Sequence, residues 1–220
     1  NRCRRQRQMC IRDSIYDLVD DEFSAVNELI ISQLRSNVER VEDISQYLVT
    51  GGGKRVRPLV TLLVGGALNN AGEAKQTSLA AAVEFLHTAT LLHDDVVDMS
   101  DLRRGQPTAN ANWGNASSVL VGDFVYSKAF QLMVATQSLD IMQVMSDTTA
   151  KIAEGEVQQL IGVGNLALDQ ETYFEVIENK TAQLFAGATE SAAILANANT
   201  DVRSHCRDYG MHIGLAFQLI

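Results

Sequence analysis

Three aspartates lie within residues 91–98, and their spacing suits metal chemistry. If the segment is helical, Asp94 and Asp98 are one turn apart, so their carboxylates share a face. Such like charges repel unless a cation lies between them, and paired oxygen ligands that leave room for phosphate oxygens suit magnesium. A solvated acidic helix end is the alternative, but the flanking residues are apolar and an unpaired buried charge is costly. The segment therefore predicts a magnesium site at Asp94 and Asp98.

Arg103 and Arg104 follow this acidic segment in a polar loop. A guanidinium group can bind phosphate bidentately, through two parallel N–H···O hydrogen bonds. Taken alone, two adjacent arginines are typical of a solvated surface. Beside the aspartates, a diphosphate ligand explains both features together.

A second candidate anion site lies at residues 51–58, Gly-Gly-Gly-Lys-Arg-Val-Arg-Pro. Glycines let backbone amides approach an anion, and the following helix offers its N-terminus. Lys54 and Arg57 are three positions apart, so both side chains can face one ligand. The spacing is not that of a P-loop, and a simple loop remains the alternative.

His87 lies seven residues before Asp94, on nearly the same face of a helix. A lone histidine in an apolar helix is usually a core residue with a satisfied hydrogen bond. Its place on the carboxylate face favours a role in ligand binding instead. His93 points elsewhere and is predicted to be structural.

These residues are positioned by an all-α chain with no alternating strand pattern of useful length. Pro58 is tolerated in the first turn of a helix, and loop 99–112 carries Arg103 and Arg104. We predict a single helical domain over residues 15–220. Its predicted helices span 15–34, 38–49, 54–68, 75–98, 116–135, 139–161, 170–196 and 201–220.

The first fourteen residues differ from the rest, since they carry five arginines and two of the three cysteines. Residues 9–14 resemble a translated sequencing adapter, so residues 1–14 are predicted to be non-native. The alternative is a basic arm that contacts a membrane or nucleic acid.

The net charge of −9 argues against nucleic acid as a general partner. The three cysteines fit neither a disulfide framework nor a metal spacing, which favours a reducing cytoplasm. No apolar run is long enough to cross a membrane, so no integral membrane segment is predicted.

Together the motifs resemble the trans-polyprenyl diphosphate synthase family, and within it the bacterial octaprenyl diphosphate synthases. No single motif is specific, but their combination and order are. The resemblance implies an isoprenoid-synthase helical bundle around a central cavity, and it implies that the protein forms a homodimer. The motifs that carry it are 51–58, 94–98 with Arg103-Arg104, Val121-Gly122-Asp123, Lys180-Thr181 and 217–220, Phe-Gln-Leu-Ile.

The implied reaction is a magnesium-dependent head-to-tail condensation of isopentenyl diphosphate with an allylic diphosphate, farnesyl or longer. Its product is a long all-trans polyprenyl diphosphate, octaprenyl, for the side chains of quinones such as ubiquinone. On the allylic side, Asp94 and Asp98 would bind Mg²⁺, and Arg103 would contact the diphosphate. Lys180 would stabilise the leaving group, with Thr181 and Gln218 facing the allylic cation or diphosphate. The residues implied for isopentenyl diphosphate are Lys54, Arg57, His87 and Arg104.

Product length is predicted from the residues just before Asp94, which in the family line the cavity for the growing tail. Ala89 and Thr90 would lie roughly 6–8 Å deeper along the helix. Both are small, which predicts a long product, with Phe130 or Met133 as deeper floor residues. The alternative is that Ala89 and Thr90 merely suit helix packing.

The chain also departs from the family pattern. A second aspartate-rich motif is expected directly after Ile220, so the chain is expected to be C-terminally truncated and inactive as it stands. Two other functions remain open. One is a terpene cyclase of the same fold, which would not need residues 54–58 for isopentenyl diphosphate. The other is a non-catalytic regulatory subunit of a prenyl synthase.

Overall fold

The computed structural model describes residues 14–51, 53–69, 74–165, 167 and 169–219. The segment predicted to be non-native, 1–14, lies outside the described residues except for Ser14. Gly52 and Ile220, which belong to two of the motifs above, lie outside them as well.

Helices make up most of the described chain, as the all-α prediction requires. A short 3₁₀ turn, Asp17–Val19, precedes the first long helix, and a π-helical turn spans Glu178–Ala182. The α-helices are α1 Asp20–Gln33, α2 Glu39–Thr50, α3 Val56–Ala67, α4 Ala74–Val97, α5 Ala109–Trp113, α6 Asn115–Ala135, α7 Leu139–Gly162, α8 Gln170–Ile177, α9 Gln183–Leu195 and α10 Thr200–Leu219.

The predicted helix 170–196 is one element in the sequence pattern but three in the structure. It divides into α8, the π turn and α9, because the turn packs against both α7 and α10. Neither glycine nor proline marks this break in the sequence, so the helical periodicity alone does not reveal it.

The predicted loop 99–112 contains a small antiparallel hairpin and most of α5, which ends at Trp113. Strand β1 (Leu102–Arg103) pairs with β2 (Gln106–Pro107). The two turn residues, Arg104 and Gly105, have φ values of 53° and 76°, which suits a tight hairpin turn. This hairpin agrees with the all-α prediction, which excluded only strand patterns of useful length. Two-residue strands are too short to produce a visible alternation.

Helix α4 lies at the centre of the bundle and packs on α1, α3, α6 and α9. It is apolar on several sides for that reason, and residues such as Phe85, Leu86 and Leu92 are almost fully buried. Its last turn carries Asp94 and Asp95, and Asp98 follows directly after its end. The packing of α4 therefore fixes where those carboxylates lie. None of the helices described is both long and apolar enough to span a membrane.

Candidate active site

The aspartates at the end of α4 have different surroundings. Asp94 and Asp98 line a cavity of about 350 Å³. The Asp98 amide donates to the Asp94 carbonyl oxygen over 2.7 Å, so the helical spacing that places both acids on one face continues to Asp98. Burial raises the pKa of Asp94, Lys180 opposes that shift, and the Asp98 charge adds to it.

Asp95 is buried, with 4% of its surface exposed, and it faces the hairpin. Arg103 Nε donates to both Asp95 carboxylate oxygens over 3.0 and 3.1 Å, and Nη2 donates to Oδ1 over 2.8 Å. Arg103 also lines the cavity. The arginine implied to bind diphosphate is thus anchored by the middle aspartate, a role that the sequence did not assign to Asp95.

Basic side chains also line this cavity. Lys54, Arg57 and Arg104 are among its lining residues, together with Arg55. At Gly53, an added Cβ would lie 3.2 Å from Arg104 Nη1, so this glycine lets the arginine of the hairpin approach the segment before α3. The structure thus brings together basic residues from the two anion sites predicted separately.

Arg57 is deeply placed within this group. Burial lowers its pKa to about 10, and the Glu84 carboxylate opposes that shift. Its guanidinium carbon lies 4.6 Å from the centre of the Phe185 ring, a cation–π contact. Phe185 therefore supports the charged group from α9.

Glu84 is an acidic residue among these cations that sequence reasoning missed. It lines the cavity, and burial raises its pKa while Arg57, Arg55 and Arg104 oppose the shift. Its spacing, three residues before His87, was the available signal, since i and i+3 share a helix face.

His87 lines the cavity beside these groups, as predicted from its helix face. Its pKa lies well below the ordinary value of 6.5, because burial disfavours the charged ring and Arg57, Arg103 and Arg104 repel it. The imidazole is therefore neutral near pH 7, and one ring nitrogen donates while the other accepts.

Lys180 reaches the acidic side of the cavity from the π turn. Its Nζ lies 2.7 Å from Glu156 Oε2 and 3.5 Å from Asp94 Oδ2. Burial lowers the pKa of Lys180, but its acidic neighbours outweigh this and the net shift is upward. Glu156, on α7, is a second acidic residue that the sequence did not single out.

Thr181 and Gln218 both line the cavity and contact one another. The Thr181 hydroxyl donates to Gln218 Oε1 over 3.2 Å. The π turn and the last turn of α10 are thereby joined at the cavity wall.

A second, mainly apolar cavity of about 380 Å³ shares Thr90, Asp94 and Glu156 with the first. Tyr126 and Ile152 are among its other lining residues. Thr90 therefore lies where the polar cavity meets the apolar one.

The other residues predicted to set product length lie elsewhere. Ala89 is fully buried in the core, and Met133 is 1% exposed. Neither is among the described residues that line the apolar cavity. The centre of the Phe130 ring lies 5.2 Å from that of Tyr126. Phe130, one of the two predicted floor residues, therefore contacts a residue that lines the apolar cavity.

The donor set at Asp94 and Asp98 fits magnesium shared with a ligand. Among the described residues, no group of three or more His, Cys, Asp or Glu side chains is arranged to hold a metal. Magnesium, however, is commonly bound by one or two carboxylates together with substrate phosphates and water. Two carboxylates in a cavity that basic side chains also line suit that arrangement.

The polyprenyl synthetase family model matches residues 38–220. The chain belongs to this family. The resemblance that the motifs indicated is thereby confirmed.

Individual relatives agree with the family assignment. Over 208 residues the chain is 48% identical to octaprenyl diphosphate synthase of Escherichia coli, covering 94% of this chain and 64% of the relative. It is 44% identical to the all-trans-nonaprenyl-diphosphate synthase (geranyl-diphosphate specific) of Rhodobacter capsulatus, covering 92% and 62%. The chain thus spans less than two thirds of the length of these relatives.

Solved structures show the same fold. A decaprenyl diphosphate synthase from Rhodobacter capsulatus superposes with a TM-score of 0.89 at 45% identity, covering 94% of this chain and 63% of that one. A polyprenyl synthase from Caulobacter crescentus, complexed with calcium and isoprenyl diphosphate, gives 0.90 at 46% identity with the same coverage. The isoprenoid-synthase bundle is therefore the fold of this chain.

Proposed function

We propose that this protein condenses isopentenyl diphosphate head to tail with an allylic diphosphate, farnesyl or longer, in a magnesium-dependent reaction. One observation carries the proposal. A single cavity has carboxylates at Asp94 and Asp98, basic side chains at Lys54 and Arg57, and a boundary with an apolar cavity at Thr90. Two diphosphates and one hydrocarbon tail need that combination.

Isopentenyl diphosphate would bind on the basic side. Lys54, Arg57 and Arg104 supply positive charge and N–H donors for its phosphate oxygens. His87, neutral for the reasons given above, would donate one hydrogen bond without adding charge. Glu84 would keep the guanidinium groups oriented before the ligand arrives.

The allylic diphosphate would bind on the acidic side. Asp94 and Asp98 would hold magnesium, which neutralises charge on the leaving diphosphate when bound. Arg103, anchored by Asp95, would direct N–H donors to the same group. Lys180 would donate to an oxygen that gains negative charge as the allylic C–O bond breaks.

The terminal alkene carbon of isopentenyl diphosphate then bonds to the allylic carbon. Thr181 and Gln218 present a hydroxyl and an amide oxygen on this side of the cavity, where their dipoles would stabilise the allylic cation. Loss of a proton to the departed diphosphate forms the new double bond and restores neutrality.

The product would be a long all-trans polyprenyl diphosphate, octaprenyl, for the side chains of quinones such as ubiquinone. Relatives that make eight- and nine-unit products support this length, as does the apolar cavity beyond Thr90. We further propose a cytoplasmic homodimer in which residues 15–220 form the synthase domain.

Turnover tests the proposal. The protein, expressed at the full length of its gene, is incubated with radiolabelled isopentenyl diphosphate, farnesyl diphosphate and MgCl₂, and products are resolved by chain length. Linear polyprenyl products are expected, and none after addition of EDTA. Cyclic products would favour a terpene cyclase, and no turnover would favour a regulatory subunit. The same assay on the 220-residue chain tests whether it is inactive.

A further inference from the structure

Lys180 is held between two carboxylates on the acidic side of the cavity. The contact to Glu156 Oε2, at 2.7 Å, has the length of a charge-assisted hydrogen bond, whereas the contact to Asp94 Oδ2, at 3.5 Å, is longer than one. The Lys180, Glu156 and Asp94 side chains are 21, 26 and 13% exposed. Glu156 is therefore the nearer partner of a largely shielded ammonium group.

The backbone brings the lysine to Glu156. Lys180 lies in the π turn Glu178–Ala182, and such turns are frequent at functional sites. The turn packs on α7 at Gly155, where an added Cβ would lie 2.8 Å from Asn179 Cβ and 3.0 Å from the Lys180 backbone nitrogen. The absence of a side chain at Gly155 thus permits the close approach that the contact with Glu156 requires.

We propose that Glu156 is a positioning residue, which holds the Lys180 ammonium away from Asp94 and so keeps the Asp94 carboxylate available to magnesium. The inference rests on the proposed function, because it takes Asp94 as a magnesium ligand. An ammonium and a divalent cation compete for the same carboxylate oxygens. Without Glu156, Asp94 is the carboxylate already nearest to Lys180, and a shielded ammonium gains by pairing with it. Magnesium would then have to displace the lysine.

A direct ligand role for Glu156 is the competing explanation. The described part of the chain contains no group of three acidic, histidine or cysteine side chains arranged to hold a metal. Glu156 Oε2 is instead engaged by Lys180. An ammonium has three donors, so Lys180 can contact Glu156 and still donate toward the cavity.

Metal binding is measured directly, on the protein at the full length of its gene, by loss of the free Mn²⁺ EPR signal on titration with MnCl₂. Mn²⁺ prefers the same oxygen ligands as Mg²⁺. We expect Glu156→Ala to raise the Kd for Mn²⁺ about fivefold. Glu156→Gln should raise it less, because an amide oxygen still accepts from Lys180. The matched control is Glu154→Gln, an exposed acid on the same helix, which should leave the Kd unchanged.

A double-mutant cycle decides between the two explanations. If Glu156 acts through the lysine, Glu156→Ala changes the Kd little in a Lys180→Met background. An equal loss in both backgrounds would mean that the Glu156 charge acts on the metal itself, and would overturn the inference. An unchanged Kd in folded Glu156→Ala and Glu156→Gln would overturn it too. Prenyl transfer by the wild-type protein is assayed separately. A wild-type protein without this activity would count against the proposed function, whereas the Mn²⁺ titrations test the role of Glu156.

Discussion

The Asp95 carboxylate accepts three hydrogen bonds from Arg103, which ties the last turn of α4 to the first strand of the hairpin. The other two aspartates face the cavity instead. The aspartates of one short motif therefore differ in their surroundings: Asp94 and Asp98 line the cavity, and Asp95 holds the loop that carries the arginines.

Asp95→Asn should lower the free energy of unfolding by about 2–3 kcal/mol, because it leaves the Arg103 guanidinium without its buried anionic partner. Urea unfolding measures this. Asp101→Asn, at an exposed site in the same loop, is the control. Asp95→Asn should also affect Mn²⁺ binding less than Asp94→Asn does. Equal stability of the Asp95 and Asp101 variants would contradict the structural role.

The lowered pKa of His87 makes folding stability depend on pH. Above pH 6.5 the ring is neutral in both folded and unfolded chains, so its contribution is fully present. As pH falls below 6.5, only the unfolded chain gains the proton, and stability is lost at up to about 1.4 kcal/mol per pH unit. His87→Gln should therefore reduce the fall in Tm between pH 7 and 5. The exposed His205→Gln is the control, and identical pH dependence of the two variants would refute the assignment.

Product length should respond to the residues where the two cavities meet. Thr90→Phe places an aromatic ring at the boundary and should shorten the main product, whereas Tyr126→Ala enlarges the apolar cavity and should lengthen it. Product chromatography measures both. An unchanged spectrum in both variants would show that the tail occupies another space.

Ala89→Phe should behave differently from Thr90→Phe. Ala89 is fully buried in a packed core, so the larger ring should lower the free energy of unfolding by about 1–3 kcal/mol. Urea unfolding compares the two variants. A stable Ala89→Phe protein with a shorter product would instead support the sequence-based prediction that Ala89 lines the tail cavity.

Gly155→Ala should be destabilising, although the same change inside a helix normally stabilises by about 1 kcal/mol. The added Cβ would meet Asn179 and the Lys180 backbone and push the π turn away from α7. We expect a net loss of about 1–3 kcal/mol in urea unfolding. Lys151→Ala, exposed on α7, is the control. A gain in stability would show that the turn moves freely.

The helical class and the shared face of Asp94 and Asp98 could be predicted from the sequence. Asp94 and Asp98 share a face because the period of an α-helix is local, and the structure retains that spacing through Asp98. The same local argument placed His87 and Thr90 relative to Asp94. It also located both basic segments, although not their distance from one another.

Only the tertiary structure decided which residues meet across the cavity. Glu156 and Lys180 contact one another from α7 and the π turn, and neither position carries a local pattern that predicts the other. Ala89 looked equivalent to Thr90 in sequence, yet packing buries one and leaves the other at a cavity. Periodicity fixes directions around one helix, whereas convergence depends on how several helices pack, and a glycine such as Gly155 sets how closely they approach.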